Sequence, residues 1–131
     1  MDLKELIAMQ TAFDAEHGWP LARGEPPKKL LGALSKDLVG LLGEVGEFAG
    51  VVKRLNLEAE GATERSLGRS LSRHRRELEG ELTDTFIYML RLAGHLGMDI
   101  GTCYLAKLSK NREKYRGYAR RPRRGGVKPD R

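Results

Sequence analysis

Between Leu38 and Val52 the chain reads LVGLLGEVGEFAGVV, a window in which Glu44 and Glu47 are the only charges. At helical spacing Leu38, Leu41, Leu42, Val45, Phe48, Ala49 and Val52 make one apolar face. A surface helix would carry Lys, Glu and Gln on the other side. Here that side holds Gly40, Gly43, Gly50 and Val51 with the two carboxylates. Each glycine inside a helix costs about 0.5–1 kcal/mol relative to alanine. The window therefore predicts a helix covered on both sides, with a backbone or a ligand close by and two acids aimed into the covered space.

A second segment repeats the pattern. Glu77, Glu81 and Asp84 share a helix face, and TFIYML then runs without charge to Arg91. Glu81 and Asp84 have the same i, i+3 spacing as Glu44 and Glu47. The two pairs are expected to converge between antiparallel helices. Two solvated helix faces would show the same spacing. Buried together, however, four carboxylates are unfavourable unless something cationic compensates them, and no lysine is interleaved. Oxygen-only ligands suit Mg²⁺, or Mn²⁺ in its place, whereas zinc would want the histidine or cysteine that these faces lack. Carboxylate-held Mg²⁺ completed by phosphate oxygens is a frequent arrangement for phosphoryl chemistry. No GxxxxGK[ST] loop is present, so a kinase or motor reading has no support.

Helical periodicity dominates the rest, with no convincing alternating strand. Helix one is predicted from Leu3 to His17, ended by Gly18 and Pro20. A short turn of helix is expected at Lys28 to Leu34. Ser35 then caps helix two, with Asp37 in its first turn, and the helix runs to about Leu57. Residues 58–76 read as a polar loop with a short helix, or as a polar start to helix three. Helix three is clear from Glu77 to Leu96 and stops at Gly97. Asp99 is expected to cap helix four, Ile100 to Arg116. Four helices with short or moderate loops predict an all-α four-helix bundle, over residues 1–116, with a basic C-terminal tail over 117–131.

The 131 residues suit one domain, but 40% hydrophobic content is low for a self-sufficient core, which favours a homo-oligomer. The net charge of +6 comes from the C-terminal stretch after Glu113; the remainder is close to neutral. A single cysteine, Cys103, excludes an internal disulfide. No run is long and apolar enough to span a membrane and no signal peptide is read, so a cytoplasmic protein without a membrane partner is expected.

GEVGE at Gly43–Glu47, then ELTD at Glu81–Asp84 leading into TFIYMLRLAGHLGMD, resemble the MazG-type all-α NTP pyrophosphohydrolases, most of all their dCTP pyrophosphatase-like branch. KLSKNREKY at Lys107–Tyr115 is similar to that family's closing K-x-x-x-N-x-x-K/R-Y segment, and FDAEHGW at Phe13–Trp19 to its F-x-x-E-x-x-W stretch. The resemblance covers about residues 10 to 115. It implies a Mg²⁺ site of Glu44, Glu47, Glu81 and Asp84, which also carry catalysis. The implied reaction is hydrolysis between the α- and β-phosphates of a nucleoside triphosphate, giving the monophosphate and pyrophosphate, in nucleotide-pool house-cleaning. It further implies a dimer or tetramer. Lys107, Asn111, Lys114 and Tyr115 would hold phosphates or sugar, and Phe13, His17 and Trp19 the base. Gly43 stands where many relatives have an acid but the dCTP branch has glycine, and Arg116 stands where the usual proline follows the tyrosine. The long basic segment from Lys53 to Gly80 bears on which nucleotide is taken. The rival reading is a non-catalytic helical oligomer that binds nucleic acid or a protein partner through the basic tail. The absence of a recognition helix with clustered basic and aromatic residues counts against nucleic acid.

Overall fold

A computed structural model describes residues 1–118, so nearly all of the tail expected at 117–131 lies outside the described residues. Among them are four α-helices and no strand: α1 (Leu3–Glu16), α2 (Pro27–Ala59), α3 (Glu64–Leu96) and α4 (Ile100–Lys114), followed by a 3₁₀ turn at Arg116–Tyr118. The described residues fall into two compact units, one spanning Met1–Asp99 and the other beginning at Ile100.

Local chemistry sets most boundaries. Asp2 accepts from the Glu5 amide while Glu5 accepts from the Asp2 amide, a reciprocal cap on α1. Thr63 accepts from the Ser66 amide and starts α3. Gly97, at φ +61°, ends α3 in the left-handed conformation that glycine adopts without strain.

Two expectations need correction. Ser35 does not cap helix two and Asp37 is not in its first turn. Pro27, at the first helical position, begins α2, and the stretch 28–34 is continuous with the rest. The polar segment 58–76 is mostly helix: only Glu60–Thr63 breaks it, so the polar-start alternative describes α3 correctly. Exposed arginines and serines there form helix because they need only one buried position per turn, and Ser70 supplies one.

Each of α2 and α3 is 33 residues long, about 50 Å at 1.5 Å per residue. They pack against each other, and α1 packs on α3. Partners rise in number along α2 as they fall along α3: Asp37 with Arg91 and His95, Gly40 with Tyr88, Arg54 with Glu77, Glu58 with His74. The helices are therefore antiparallel.

The inward stripe of α2 is not the expected one. Asp37, Val51 and Leu55 are buried and Leu41, Glu44 and Phe48 half-buried, whereas Leu38 and Leu42 are 49% and 62% exposed, with Val45 and Val52 also exposed. Leu38, Leu42, Val45 and Val52 make a coherent apolar stripe that nothing among the described residues covers. Buried apolar residues in the described chain are few: Ala22, Val51, Leu55, Leu90 and Ala93.

Gly40 matters for a specific reason. A Cβ there would run into the Tyr88 ring, whereas a Cβ on Gly68 of α3 would meet nothing. Gly40→Ala is expected to destabilise the fold by about 1–3 kcal/mol through overpacking. Gly68→Ala should stabilise it by about 0.5–1 kcal/mol through helix propensity. Urea unfolding of both variants checks the opposite signs.

Candidate functional site

The antiparallel register brings the two acid pairs to one level of the helix hairpin. One carboxylate oxygen from each of Glu44, Glu81 and Asp84 lies within 4.8 Å of the other two. Glu44 and Glu81 are half-buried and Asp84 is exposed. Glu47 is exposed and is not part of this close trio, but its charge acts strongly on Glu81. Desolvation first, then the charges of Glu47, Glu44, Asp84 and Glu77, push the Glu81 carboxyl above its usual range. Among the described residues no ion pair joins a cationic side chain to Glu44, Glu47, Glu81 or Asp84. A compact, oxygen-only, mutually repelling set fits a hard divalent cation.

One turn along α2 from Glu44 lies Gly40, roofed by Tyr88. Past that point the surface is organised by a buried polar network. Arg91 Nε donates to Asp37 Oδ2 at 2.9 Å, and its Nη1 lies 2.6 Å from Asp14 Oδ2. That second contact is an ion pair whose N–H is not aligned well enough for a hydrogen bond, since Asp14 Oδ2 has no hydrogen-bond partner of its own. Gln10 donates to Asp14 Oδ1 at 2.9 Å. The Ala22 amide donates to His95 Nδ1, so the ring proton sits on Nε2, which donates to Asp37 Oδ2 at 2.6 Å. Burial works against the Arg91 charge. The paired carboxylates of Asp14 and Asp37 outweigh it, and its pKa is raised.

Beside the network stands a row of rings. Phe13 and His17 are 4.2 Å apart between centroids, His17 and Trp19 5.7 Å and stacked, and His17 Nδ1 lies 2.6 Å from the Phe13 carbonyl. Phe13 and Trp19 are each half exposed. A cleft of about 680 Å³ joins the two regions, running from Phe13 and Trp19 past Arg91 and Tyr88 to Glu44 and Asp84. His17 supports the rings without lining this cleft. Lys107, Asn111, Lys114 and Tyr115 lie on and just beyond α4, in the second unit, at helical spacing. Lys107, Lys114 and Tyr115 are exposed, Asn111 is half-buried, and Lys114 Nζ sits 5.2 Å from the Tyr115 ring centroid.

Sequence reasoning missed Lys36, Tyr88, Asp37 and Asp14 as cleft residues. For Asp14 and Asp37 a signal existed. Asp14 continues the stripe Leu3, Ile7, Gln10, and Asp37 the stripe Leu41, Glu44, Phe48, Val51, so each is a charge at a core position. Arg91 pairs with both of them.

No known family profile matches the chain. It is similar to three curated proteins, each called dCTP pyrophosphatase 1: 30% identical to that of Bos taurus, 29% to that of Homo sapiens and 27% to that of Mus musculus. Each similarity covers 86% of this chain and 58–59% of the relative, so the chain spans a little over half of their length. This is in line with the resemblance carried by GEVGE, ELTD and KLSKNREKY.

The strained trio gives a pH test. Folded Glu81 keeps its proton to a higher pH than the unfolded chain does, so between about pH 4.3, the ordinary glutamate value, and its raised value the folded state binds more protons. Stability from this group is full below that window and is lost as pH rises through it. Glu58 and Glu77 act oppositely: hydrogen bonds from Ser70 and Arg54 respectively lead in lowering them. Glu81→Gln should therefore raise Tm in chelator at neutral pH, and the gap to the native chain should close on acidification. Mg²⁺ should raise the native Tm and leave the variant's nearly unchanged. Thermal melts with and without Mg²⁺ read both.

Proposed function

We propose that the chain is a Mg²⁺-dependent nucleoside triphosphate pyrophosphohydrolase. It hydrolyses the bond between the α- and β-phosphates of a deoxynucleotide, dCTP being the first candidate, to the monophosphate and pyrophosphate. The observation that carries this reading is the joining, in one cleft, of Glu44 and Asp84, two members of a repelling carboxylate trio, to an open aromatic surface. An anion-rich ligand with a flat ring at one end suits both, and the relatives' name gives the nucleotide.

Glu44, Glu81 and Asp84 are assigned to hold Mg²⁺, with Mn²⁺ as substitute and Glu47 completing the set. The cation, when bound, supplies neutralisation of phosphate charge. Water attacks the α-phosphorus, the bond to the bridging oxygen breaks, and pyrophosphate leaves. Glu47, outside the close trio and open to solvent, accepts the proton of that water. Positioning and charge neutralisation are most of what such a reaction needs. Phe13 and Trp19 offer faces to the base, with His17 behind them. Lys107, Asn111, Lys114 and Tyr115 are assigned to phosphates and sugar on the resemblance. The reading places the protein in the cytoplasm, cleansing the nucleotide pool. Among the described residues no helix is long and apolar enough to cross a membrane.

The uncovered stripe of Leu38, Leu42, Val45 and Val52 supports a homo-oligomer, a dimer or tetramer. Sedimentation at micromolar concentration should give two or four chains, and Leu42→Glu should dissociate them; a stable, well-folded monomer of the native chain contradicts this.

Assayed with Mg²⁺ and a nucleotide panel, the protein should release pyrophosphate. Glu47→Ala should lower kcat by about 10²–10⁴-fold, and Asp84→Ala should do so comparably, with thermal stability held or raised. Lys107→Ala should mainly raise KM. Unchanged turnover in both acid variants sinks the mechanism, and orthophosphate as first product overturns the bond assignment.

A further inference from the structure

The ring surface at one end of the cleft stands on a loop. Trp19 lies between α1 and α2, outside any helix, and follows Gly18 at φ +78°. A half-exposed ring on a loose loop would have to be ordered by each ligand that stacks on it, and that ordering costs affinity. Here the backbone of Trp19 is tied on both sides. Its amide donates to the Asp14 carbonyl at 2.8 Å, and its own carbonyl accepts from Arg91 Nη1 at 3.2 Å. The same guanidinium holds the carboxylates of Asp14, on α1, and Asp37, on α2. Its side chain is 13% exposed and forms part of the cleft wall.

We propose that Arg91 is a positioning residue for the nucleoside. By holding the Trp19 carbonyl, Asp14 and Asp37 at once, it fixes the ring surface at the far end of the cleft from the acids. It thereby sets affinity for the base and sugar and leaves the phosphate chemistry alone. This rests on the nucleotide reading of the cleft.

Two features support the division. Arg91 and Asp84 lie on one stripe of α3, seven residues apart, or about 10 Å along the axis. Loss of the tie from Arg91 to the Trp19 carbonyl, with the charge between Asp14 and Asp37 kept, can therefore free the loop without moving the acids. Second, only a branched, planar cation reaches three acceptors on three segments. A lysine ammonium keeps the charge between the carboxylates but cannot also hold the Trp19 carbonyl in the same geometry.

Trp19 is the only tryptophan in the chain, so its emission reports this end of the cleft. Two product-side probes separate the ends: dCMP, followed by Trp19 emission, and pyrophosphate, followed as an inhibitor of turnover. In Arg91→Lys the emission maximum should shift to the red, and Kd for dCMP and KM for dCTP should each rise about tenfold, the cost of ordering one large side chain again. Turnover should stay within about twofold and pyrophosphate inhibition should be unchanged.

Native protein whose emission ignores dCMP ends the nucleotide reading, and the proposal with it. Native protein that binds dCMP, beside an Arg91→Lys chain that binds it equally well, overturns the proposal alone. Equal losses in dCMP binding, pyrophosphate binding and turnover, with a fall in Tm, also overturn it, because they describe a purely structural arginine. Should Arg91→Lys lose its helical signal, Asp14→Asn keeps the volume and weakens only the α1 tether. It carries the same expectation at about threefold, and unchanged dCMP binding in a folded Asp14→Asn chain overturns the proposal.

Discussion

The contact of Arg91 with Asp37 decides more of this structure than any apolar contact does. A buried ion pair adds little net stability over a hydrophobic replacement, yet removing one partner strands a buried charge at about 3–5 kcal/mol. Such a pair therefore selects an arrangement more than it strengthens one. With Asp37 opposite Arg91 and His95, the antiparallel run of α2 and α3 leaves no choice further along. Gly40 falls against Tyr88 and Glu44 against Glu81 and Asp84. A slip of one helical turn would bury Asp37 without its partners and put a side chain where the Tyr88 ring now lies. The register that assembles the acids is thus specified several residues away from them.

Those acids repel one another where the two helices meet. The hairpin is held on either side. At one end stand the Arg91 and His95 contacts. Toward the other, Arg54 bonds Glu77 at 2.5 Å, and His74 lies 3.6 Å from Glu58 and 3.4 Å from Glu77. The outer contacts are exposed and weak individually. Their position matters more than their strength, because they oppose separation of the helices at the level just beyond the trio. The raised carboxyl of Glu81 is the local sign of that imbalance. An acidic cluster held between two clamped flanks could take a cation with its ligand geometry set before binding.

Much of this was legible in the residues. Helical period and caps gave an all-α chain, and the paired i, i+3 acids in uncharged windows pointed to one site because few other uses exist for carboxylates in such surroundings. Three things were not legible. The break between α2 and the turn before it was placed at Ser35 because serine and an acid make a good cap; Pro27 won because it alone is fit for the first turn and unfit for the interior. The inward face of α2 was assigned to its leucines. Hydrophobic periodicity identifies a face that needs covering, but not what covers it, and here Asp37, Gly40 and Glu44 face α3 instead. The network around Arg91 escaped for the same reason: five polar residues on three helices have no spacing in sequence that announces their meeting in space.

The reversal of α2 has a physical logic. If the helix turned its leucines toward α3, the pair would gain apolar burial at about 25 cal/mol per Å², and the acids would point to water with nothing to bind between them. Turning the acids inward forgoes that burial, which leaves a thin core of Val51, Leu55, Leu90 and Ala93 near the helices. The forgone area does not vanish. It reappears as the exposed stripe of Leu38, Leu42, Val45 and Val52, a surface that a small helical chain gains most by covering with another copy. On this view assembly and chemistry are opposite faces of one helix. Replacing Glu44 by leucine would add apolar burial to the single chain and take one carboxylate out of the cluster, so the residues that serve the proposed site and those that would stabilise a lone chain compete for the same face of α2.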